Sequence, residues 1–221
     1  MGRHLKKNGC KAKHSDEYFS RKNIKPRNTL SNILKGKTDP KPKISNVLAI
    51  DCEYVGTGFD GRDDALARVS IVNADGECVY DKYVMSVEPV TDYRTAVSGI
   101  RPGHLIKGES FVTVQQEVSK MIAGKVIVGH ALQNDFRVLR LTHPVRLTRD
   151  TAKFKLLREM AGIGAKVPSL KLLASQLLGI QIQSGEHDSI VDAKVALRIY
   201  QMYSGKWDQE MHKLRNRKKI K

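Results

Sequence analysis

Short apolar runs separated by turn-forming residues dominate the first half of the chain's middle region. Residues 47–53, 66–73 and 77–85 form three such runs, and the last two are rich in Val, Ile and Tyr. The sequence Asn73-Ala74-Asp75-Gly76, which joins the second run to the third, is typical of a hairpin turn. The pattern therefore predicts three consecutive antiparallel strands.

The spacing of apolar residues changes in the second half. Residues 88–109 contain two Pro and three Gly and are predicted to form a loop. Residues 111–123 have helical spacing, residues 125–130 are almost entirely apolar as in a buried parallel strand, and residues 132–141 are predicted to form the next helix. The predicted apolar face of the first of these helices consists of Val112, Val118, Met121 and Ile122.

Three further elements complete the prediction. They are a short strand over residues 148–151 and helices over residues 169–178 and 189–203. Strands that come first and then alternate with helices favour an α/β fold. We expect a mixed five-stranded sheet, with three antiparallel strands followed by parallel strands, flanked by helices.

The net charge of +16 is unevenly distributed over the 221 residues. Residues 1–43 hold 13 Lys or Arg against three Asp or Glu, and residues 205–221 hold seven against two. We interpret residues 1–43 as a basic, largely disordered extension, residues 44–204 as the folded domain and residues 205–221 as a basic tail. This arrangement is typical of a protein that binds a polyanion, although basic tails can also serve solubility alone.

Several classes of protein are not indicated. Cys10, Cys52 and Cys78 have neither the count of a disulfide framework nor the spacing of a zinc site, which suits a reducing compartment. No apolar run approaches the roughly 20 residues of a membrane span, and the charged N-terminus does not resemble a signal peptide.

Four acidic residues are candidates for a shared site. Asp51 and Glu53 are two residues apart on the first predicted strand, so their side chains point to the same face and that of Cys52 to the other. Two like charges on one buried face favour a bound cation such as Mg²⁺, whereas on a solvated face they need no ligand. Asp135 and Asp192 lie early in two predicted helices, where the topology would bring them to the first strand.

The two helical acids also have ordinary structural interpretations. Asp135 could lie on an exposed helical face. Asp192 could complete a capping box with Ser189, three residues earlier. Taken singly, neither residue decides between structure and function.

Together with their sequence context, the acids resemble one enzyme superfamily. The motifs are Asp51-Cys52-Glu53, ARVSIVN at residues 67–73, TDYRTAVSGI at residues 91–100 and VGHAL at residues 128–132, followed by Asp135, His187 and Asp192. They resemble the DEDD exonuclease superfamily, which has the ribonuclease H-like fold, and the histidine five residues before the last acid indicates the DEDDh branch. Over residues 45–204 the likeness is to the eukaryotic RNA exonuclease four family, whose relatives include the interferon-stimulated exonuclease.

This resemblance implies a metal-dependent 3′→5′ exoribonuclease that releases nucleoside 5′-monophosphates. The four acids would hold two divalent cations, Mg²⁺ or Mn²⁺, about 4 Å apart. His187 would act as the general base that takes a proton from the attacking water. A polar cap at the helix start is the competing interpretation of this histidine.

Two further residues are implied to contact the substrate. Tyr54 stands where the family usually carries Met, beside the terminal nucleotide, and its ring can stack on a base or sugar. Arg94 lies in a loop that approaches the last sugar, where it would contact the ribose or a phosphate. A surface ion pair with Asp92 or a neighbouring acid is the alternative. We assign His130, at a strand end, to structure.

The family also implies partners and a location. The expected partner is the single-stranded 3′ end of RNA, including pre-ribosomal RNA, and the expected location is the nucleus, in particular the nucleolus. We expect a monomer without a membrane partner. Single-stranded DNA as substrate, or a non-catalytic ribosome-assembly or RNA-tethering factor built on an exonuclease scaffold, are the alternatives.

Overall fold

The computed structural model describes residues 30–34, 42–163 and 166–219 of the chain. Most of residues 1–43, for which we predicted little regular structure, lies outside this part. Residues 30–34 do belong to it and form a short helix, α1 (Leu30–Leu34), that packs on the last helix of the chain. At least this segment of the basic extension is therefore attached to the domain.

A six-stranded mixed sheet forms the centre of the described molecule. The strands are β1 (Val47–Thr57), β2 (Asp63–Asn73), β3 (Cys78–Tyr83), β4 (Val90–Asp92), β5 (Val126–Gly129) and β6 (Thr148–Asp150). Their order is β3-β2-β1-β5-β6, and β4 pairs with the end of β1. β1 is antiparallel to β2 and parallel to β5, so the predicted α/β fold with antiparallel strands followed by parallel strands is confirmed.

The hairpin turn between β2 and β3 also forms where the sequence predicts it. The side-chain Oδ1 of Asn73 accepts hydrogen bonds from the backbone N–H groups of Asp75 at 3.0 Å and Glu77 at 2.9 Å. Gly76 has a φ of 80°, a conformation that glycine adopts without strain. The turn residues therefore act through the chemistry that the sequence suggests.

The sheet has one strand more than predicted. β4 lies in the region interpreted as a loop, where Asp92 pairs with Gly56 at the end of β1. The same region also forms two short helices. β4 is only three residues long and mostly exposed, so it has no apolar alternation that sequence patterns could detect.

Helices cover both faces of the sheet. They are α2 (Thr95–Ser98), α3 (Pro102–Ile106), α4 (Phe111–Ile122), α5 (Gln133–Val138), α6 (Lys155–Met160), α7 (Leu170–Leu173, continued by a π-helical turn at Ala174–Leu178) and α8 (Ser189–Lys219). Short 3₁₀ turns occupy Phe59–Gly61 and Val145–Leu147. On α4 the predicted apolar face is wrong at one position, because Val112 is 59% exposed and Val114 is buried instead.

The two faces of the sheet form separate apolar layers. Ala49 of β1 packs in the layer under α7 and α8, whereas Ile50 and Cys52 pack in the layer under α4 and α5. Because side chains alternate along a strand, Asp51 and Glu53 lie on the same face as Ala49. The expected separation of Cys52 from the two acids is confirmed.

The last helix is longer than predicted. α8 continues from Ser189 through Lys219, into the segment that we interpreted as a separate tail. Trp207 explains the extension, because its ring is buried and stacks on Phe154 at 4.0 Å between ring centroids. Residues just beyond the predicted helix end are thus part of the core. Among the described helices, none is long and apolar enough to cross a membrane.

Candidate active site

One cleft of about 240 Å³ beside β1 contains every residue that the sequence singled out for a functional role. These residues are Asp51, Glu53, Tyr54, Arg94, Asp135, His187 and Asp192. β1 supplies the first three, and the first turns of α5 and α8 supply Asp135 and Asp192. The parallel pairing of β5 with β1 carries α5 to this place, as the topology suggested.

The structural interpretations of the two helical acids do not hold. Asp135 and Asp192 are 4% and 3% exposed, so neither lies on a solvated helical face. Oδ2 of Asp192 accepts a hydrogen bond from Nε2 of Gln183 at 2.7 Å. The first turn of α8 is capped by Asp188, and the hydroxyl of Ser189 lies against Ser70 at 2.7 Å. Asp192 is thus directed into the cleft.

Burial raises the pKa values of these carboxylates, because an ionised group is poorly solvated there. The pKa of Glu53 is raised to about 8 by burial and by the charge of Asp192, against the opposing charge of Arg68. The pKa of Asp135 is raised to about 7 by burial, although the backbone N–H of Cys52 donates to its Oδ1 at 2.9 Å. The cleft therefore disfavours the ionised form of its own acids.

Mutual repulsion adds to burial. The pKa of Asp51 is raised by burial first and then by the charges of Asp135 and Asp192. Oε1 of Glu53 is buried and lacks a hydrogen-bond donor within the described part of the chain. A buried carboxylate oxygen without a partner is costly unless a cation approaches it.

The donor set suits a hard divalent cation, since all four groups are carboxylates. In the described residues, however, no three acidic, histidine or cysteine side chains already stand in a metal-binding arrangement. At two of the acids one carboxylate oxygen is already hydrogen-bonded within the chain, Oδ1 of Asp135 to the backbone N–H of Cys52 and Oδ2 of Asp192 to Gln183.

His187 stands at the edge of the acidic group. Its backbone N–H donates to the carbonyl oxygen of Val97 at 2.7 Å, which ties the segment before α8 to α2. Its Nδ1 lies 3.8 Å from Oδ2 of Asp192, and the side chain is 28% exposed. The imidazole is therefore fixed at its backbone and accessible from the cleft.

His130 lines the same cleft but is bound to the scaffold. Its Nδ1 lies 2.9 Å from the hydroxyl of Thr151, and burial lowers the pKa of its imidazole. A neutral, hydrogen-bonded ring is consistent with the structural role that we expected.

Tyr54 and Arg94 also line the cleft. The guanidinium carbon of Arg94 lies 5.7 Å from the centre of the Tyr54 ring. Arg94 also forms an ion pair, as one interpretation anticipated, but its partner is Asp64 at 2.6 Å. The side chain of Asp92 instead accepts the backbone N–H of Arg94 at 2.8 Å.

Three residues that support the site were not predicted. Gln183 holds Asp192, and Asp150 at the end of β6 accepts the backbone N–H of Ala131 at 2.8 Å, just before α5. Arg68 lies directly opposite Glu53 in the β1–β2 pairing. The positions of Asp150 and Arg68 follow from strand pairing, so a sequence analysis that aligned the predicted strands could have found them, whereas Gln183 has no such signal.

A mixed sheet whose central strand carries two acids, joined by two more from helix starts, defines an exonuclease domain. The family model described as Exonuclease matches residues 48–200, and the chain belongs to this family.

Curated relatives carry the name RNA exonuclease 4. The mouse (Mus musculus) protein is 53% identical over 165 residues, which cover 75% of this chain and 38% of that protein. The human (Homo sapiens) protein is 52% identical over 165 residues, covering 75% of this chain and 39% of that protein. The Mycosarcoma maydis protein is 48% identical over 188 residues, which cover 84% of this chain and 50% of that protein. The chain thus spans half or less of the length of these relatives.

Solved structures of similar shape include Pan2 proteins. The Neurospora crassa Pan2 catalytic unit, with protease and nuclease domains, has a TM-score of 0.64 and 30% identity, covering 82% of this chain and 31% of that chain. The Saccharomyces cerevisiae Pan2 RNA exonuclease module in complex with A7 RNA has a TM-score of 0.64 and 34% identity. The match covers 81% of this chain and 32% of that chain.

Proposed function

We propose that residues 44–204 form a metal-dependent 3′→5′ exoribonuclease that releases nucleoside 5′-monophosphates. The observation that carries this proposal is the convergence of four buried or half-buried carboxylates from three elements in one cleft. Such a group raises its own pKa values and leaves Oε1 of Glu53 unpaired, which a purely structural site has no reason to maintain. Membership of the Exonuclease family supports the same conclusion.

The four acids would hold two divalent cations, Mg²⁺ or Mn²⁺, which when bound supply activation of a water molecule and stabilisation of the leaving 3′ oxygen. The chain's own residues have distinct tasks. His187, open to the cleft, accepts the proton of the attacking water on its ring. Tyr54 stacks on the terminal nucleotide, and Arg94 contacts its ribose or phosphate.

RNA is the proposed substrate and pre-ribosomal RNA the proposed biological target. The names of the curated relatives and the RNA bound to the yeast Pan2 module support RNA. The 13 Lys or Arg of residues 1–43 suit a polyanion and also a nuclear or nucleolar address. We propose that the protein acts there as a monomer.

The test uses the purified full chain with end-labelled RNA and DNA of identical sequence, in Mg²⁺, Mn²⁺ or EDTA. We expect stepwise shortening of RNA from its 3′ end, release of nucleoside 5′-monophosphates and no reaction in EDTA. Faster degradation of DNA would assign the substrate to single-stranded DNA. Tight binding of RNA without degradation in either metal would overturn the enzymatic proposal and favour a binding factor.

A further inference from the structure

A single carboxylate beside the cleft joins two arginines from different parts of the chain. Oδ1 of Asp64, at the start of β2, lies 2.6 Å from Nη1 of Arg94, and its Oδ2 lies 2.6 Å from Nη2 of Arg137 on α5. The side chain of Asp64 is 15% exposed, whereas that of Arg137 is 61% exposed. Both oxygens of Asp64 are therefore used within the chain, and one guanidinium remains largely in solvent.

Arg94 is held by more than this ion pair. Its Nη2 donates to the carbonyl oxygen of Gly61 at 2.8 Å, and its side chain lies over Tyr54. Its backbone has a φ of 49°, which is uncommon for a residue with a side chain. Several contacts therefore impose one position on Arg94 in the wall of the cleft, and Asp64 carries the charged one.

Arg137 belongs to a second cleft next to the first. This second cleft has a volume of about 270 Å³ and is lined by Asp64 and Arg137, whereas Arg94 lines only the first cleft. Its walls include Leu66, Phe111, Val138, Arg137 and Arg140. The guanidinium carbon of Arg140 lies 5.3 Å from the centre of the Phe111 ring. Apolar and aromatic walls beside guanidinium groups suit a nucleobase and its phosphate.

The charges of the second cleft restrict how a nucleotide could lie in it. Asp63 and Glu88 also line it and are exposed. These acids repel a phosphate, so the backbone of a bound strand is confined to the side of Arg137 and Arg140. On that side, Arg137 is connected to Arg94 because both form ion pairs with Asp64.

We propose that Asp64 is a positioning residue that holds Arg94 and Arg137 together as one clamp, in which Arg94 contacts the terminal nucleotide and Arg137 binds the phosphate backbone of the nucleotides preceding it. Asp64 keeps the two guanidinium groups from repelling each other, and one carboxylate between two arginines leaves a net positive charge for a phosphate. The proposal rests on the proposed nuclease function, and it adds Arg137 and the second cleft to the substrate contacts.

The test compares Arg137→Ala and Asp64→Asn with wild type in the full chain, on RNA of two and of eight nucleotides. Asp75→Asn is the matched control, because Asp75 is an exposed acid in the turn between β2 and β3 and lines neither cleft. We expect KM for the octanucleotide to rise about tenfold in both variants, the scale of a charge-assisted hydrogen bond, with kcat within about twofold. The dinucleotide has no phosphate beyond the scissile one, so its KM should stay near the wild-type value in Arg137→Ala, whereas Asp64→Asn should raise it because Arg94 is released as well.

Two results separate positioning from other roles. A double variant should show less than the summed effect, because Asp64 acts through Arg137 and Arg94. A KM that falls in Asp64→Asn would show that Asp64 competes with phosphate for the arginines, and this would overturn the clamp. Equal effects of Arg137→Ala on both substrates would likewise overturn it.

Folding and the underlying activity are checked separately. Thermal melting of each variant shows whether the substitution disturbs the domain, and Arg137→Ala, at an exposed position, keeps the proposal testable if Asp64→Asn melts early. If wild type degrades neither substrate, the proposed nuclease function fails. If wild type is active and Arg137→Ala has the wild-type KM on the octanucleotide, only the clamp fails.

Discussion

Two acids near Arg68, Asp81 and Glu53, have pKa values that are shifted in opposite directions. Burial would raise the pKa of Asp81 on β3, yet hydrogen bonds from Arg68 and from the hydroxyl of Ser70 lower it overall. Glu53 faces Arg68 across the β1–β2 pairing, and its pKa is raised to about 8. The difference arises because Glu53 is more deeply buried and faces the charge of Asp192, whereas the guanidinium of Arg68 hydrogen-bonds to Asp81, with a longer contact of 3.4 Å to Asp188.

This comparison separates carboxylates whose charge is balanced within the chain from the carboxylates of the cleft. Asp81 and Asp64 receive their counter-charges from arginines of the same chain. The acids of the cleft instead face one another, so the cation that would balance them has to come from outside. Residue type alone does not distinguish the two groups; the deeper burial of Glu53, Asp135 and Asp192 and their lack of an arginine hydrogen bond within the described residues do.

The largest effect is expected when one of the charges in the cleft is removed. Asp51→Asn or Asp192→Asn should lower activity at least about a hundredfold, because a ligand charge for the cations is lost. Without metal, the melting temperature should hold or rise, since repulsion among the acids is relieved. Asp208→Asn on α8, outside the cleft, is the control and should keep full activity. A cleft variant that retains more than a tenth of wild-type turnover would contradict the metal assignment.

His187→Ala should lower turnover by about 10² to 10⁴ while leaving metal binding in place. If His187 takes the proton, the acid limb of the pH profile should differ between His187→Ala and wild type. His212→Ala, at an exposed position of α8, serves as the control. Ionisation of metal-bound water also produces an acid limb, so an unchanged limb in His187→Ala would assign the proton transfer elsewhere.

The pH dependence of stability should have opposite signs for the two acids near Arg68. The folded-state pKa of Glu53 is raised from 4.5 to about 8, so its contribution to stability is present below pH 4.5 and is lost as the pH rises to 8. In metal-free protein, Glu53→Gln should gain about 4 kcal/mol in free energy of unfolding on wild type over that range. Thermal or urea unfolding from pH 5 to 8.5 measures the difference.

Asp81 should behave in the reverse sense. Because its folded-state pKa is lowered from 3.8, its contribution is present above that pH and is lost as the pH falls. Asp81→Asn should therefore destabilise the protein by about 1–2 kcal/mol at pH 7, and the cost should shrink on acidification. A Glu53→Gln variant with the same pH trend as Asp81→Asn would abolish the distinction between the two groups.

The smallest effect on catalysis is expected from the basic extension. Removing residues 1–29, which hold nine Lys or Arg and two Asp or Glu, spares α1. If this segment makes about five phosphate contacts, the slope of log affinity for long RNA against log salt should flatten by roughly 3.5. Turnover on saturating short RNA should barely change. An unaltered salt slope would leave solubility or targeting as the role of these residues.

The sequence alone determined the elements that carry the chemistry. Alternation along β1 places Asp51 and Glu53 on one face, and local spacing places Asp135 and Asp192 at helix starts. These are properties of neighbouring residues, which strand and helix periods express directly. The motifs around them were distinctive enough to indicate the superfamily.

Only the tertiary structure decided which partner each charged group has. Arg68 binds Asp81 rather than Glu53, and Asp64 joins Arg94 to Arg137, residues 30 and 73 positions away. Trp207 likewise draws the C-terminal segment into the core by stacking on Phe154. Such contacts depend on strand register and on how helices pack against the sheet, so no local pattern reports them. Strand register and helix packing therefore determine whether an acid is neutralised within the chain or belongs to the cleft.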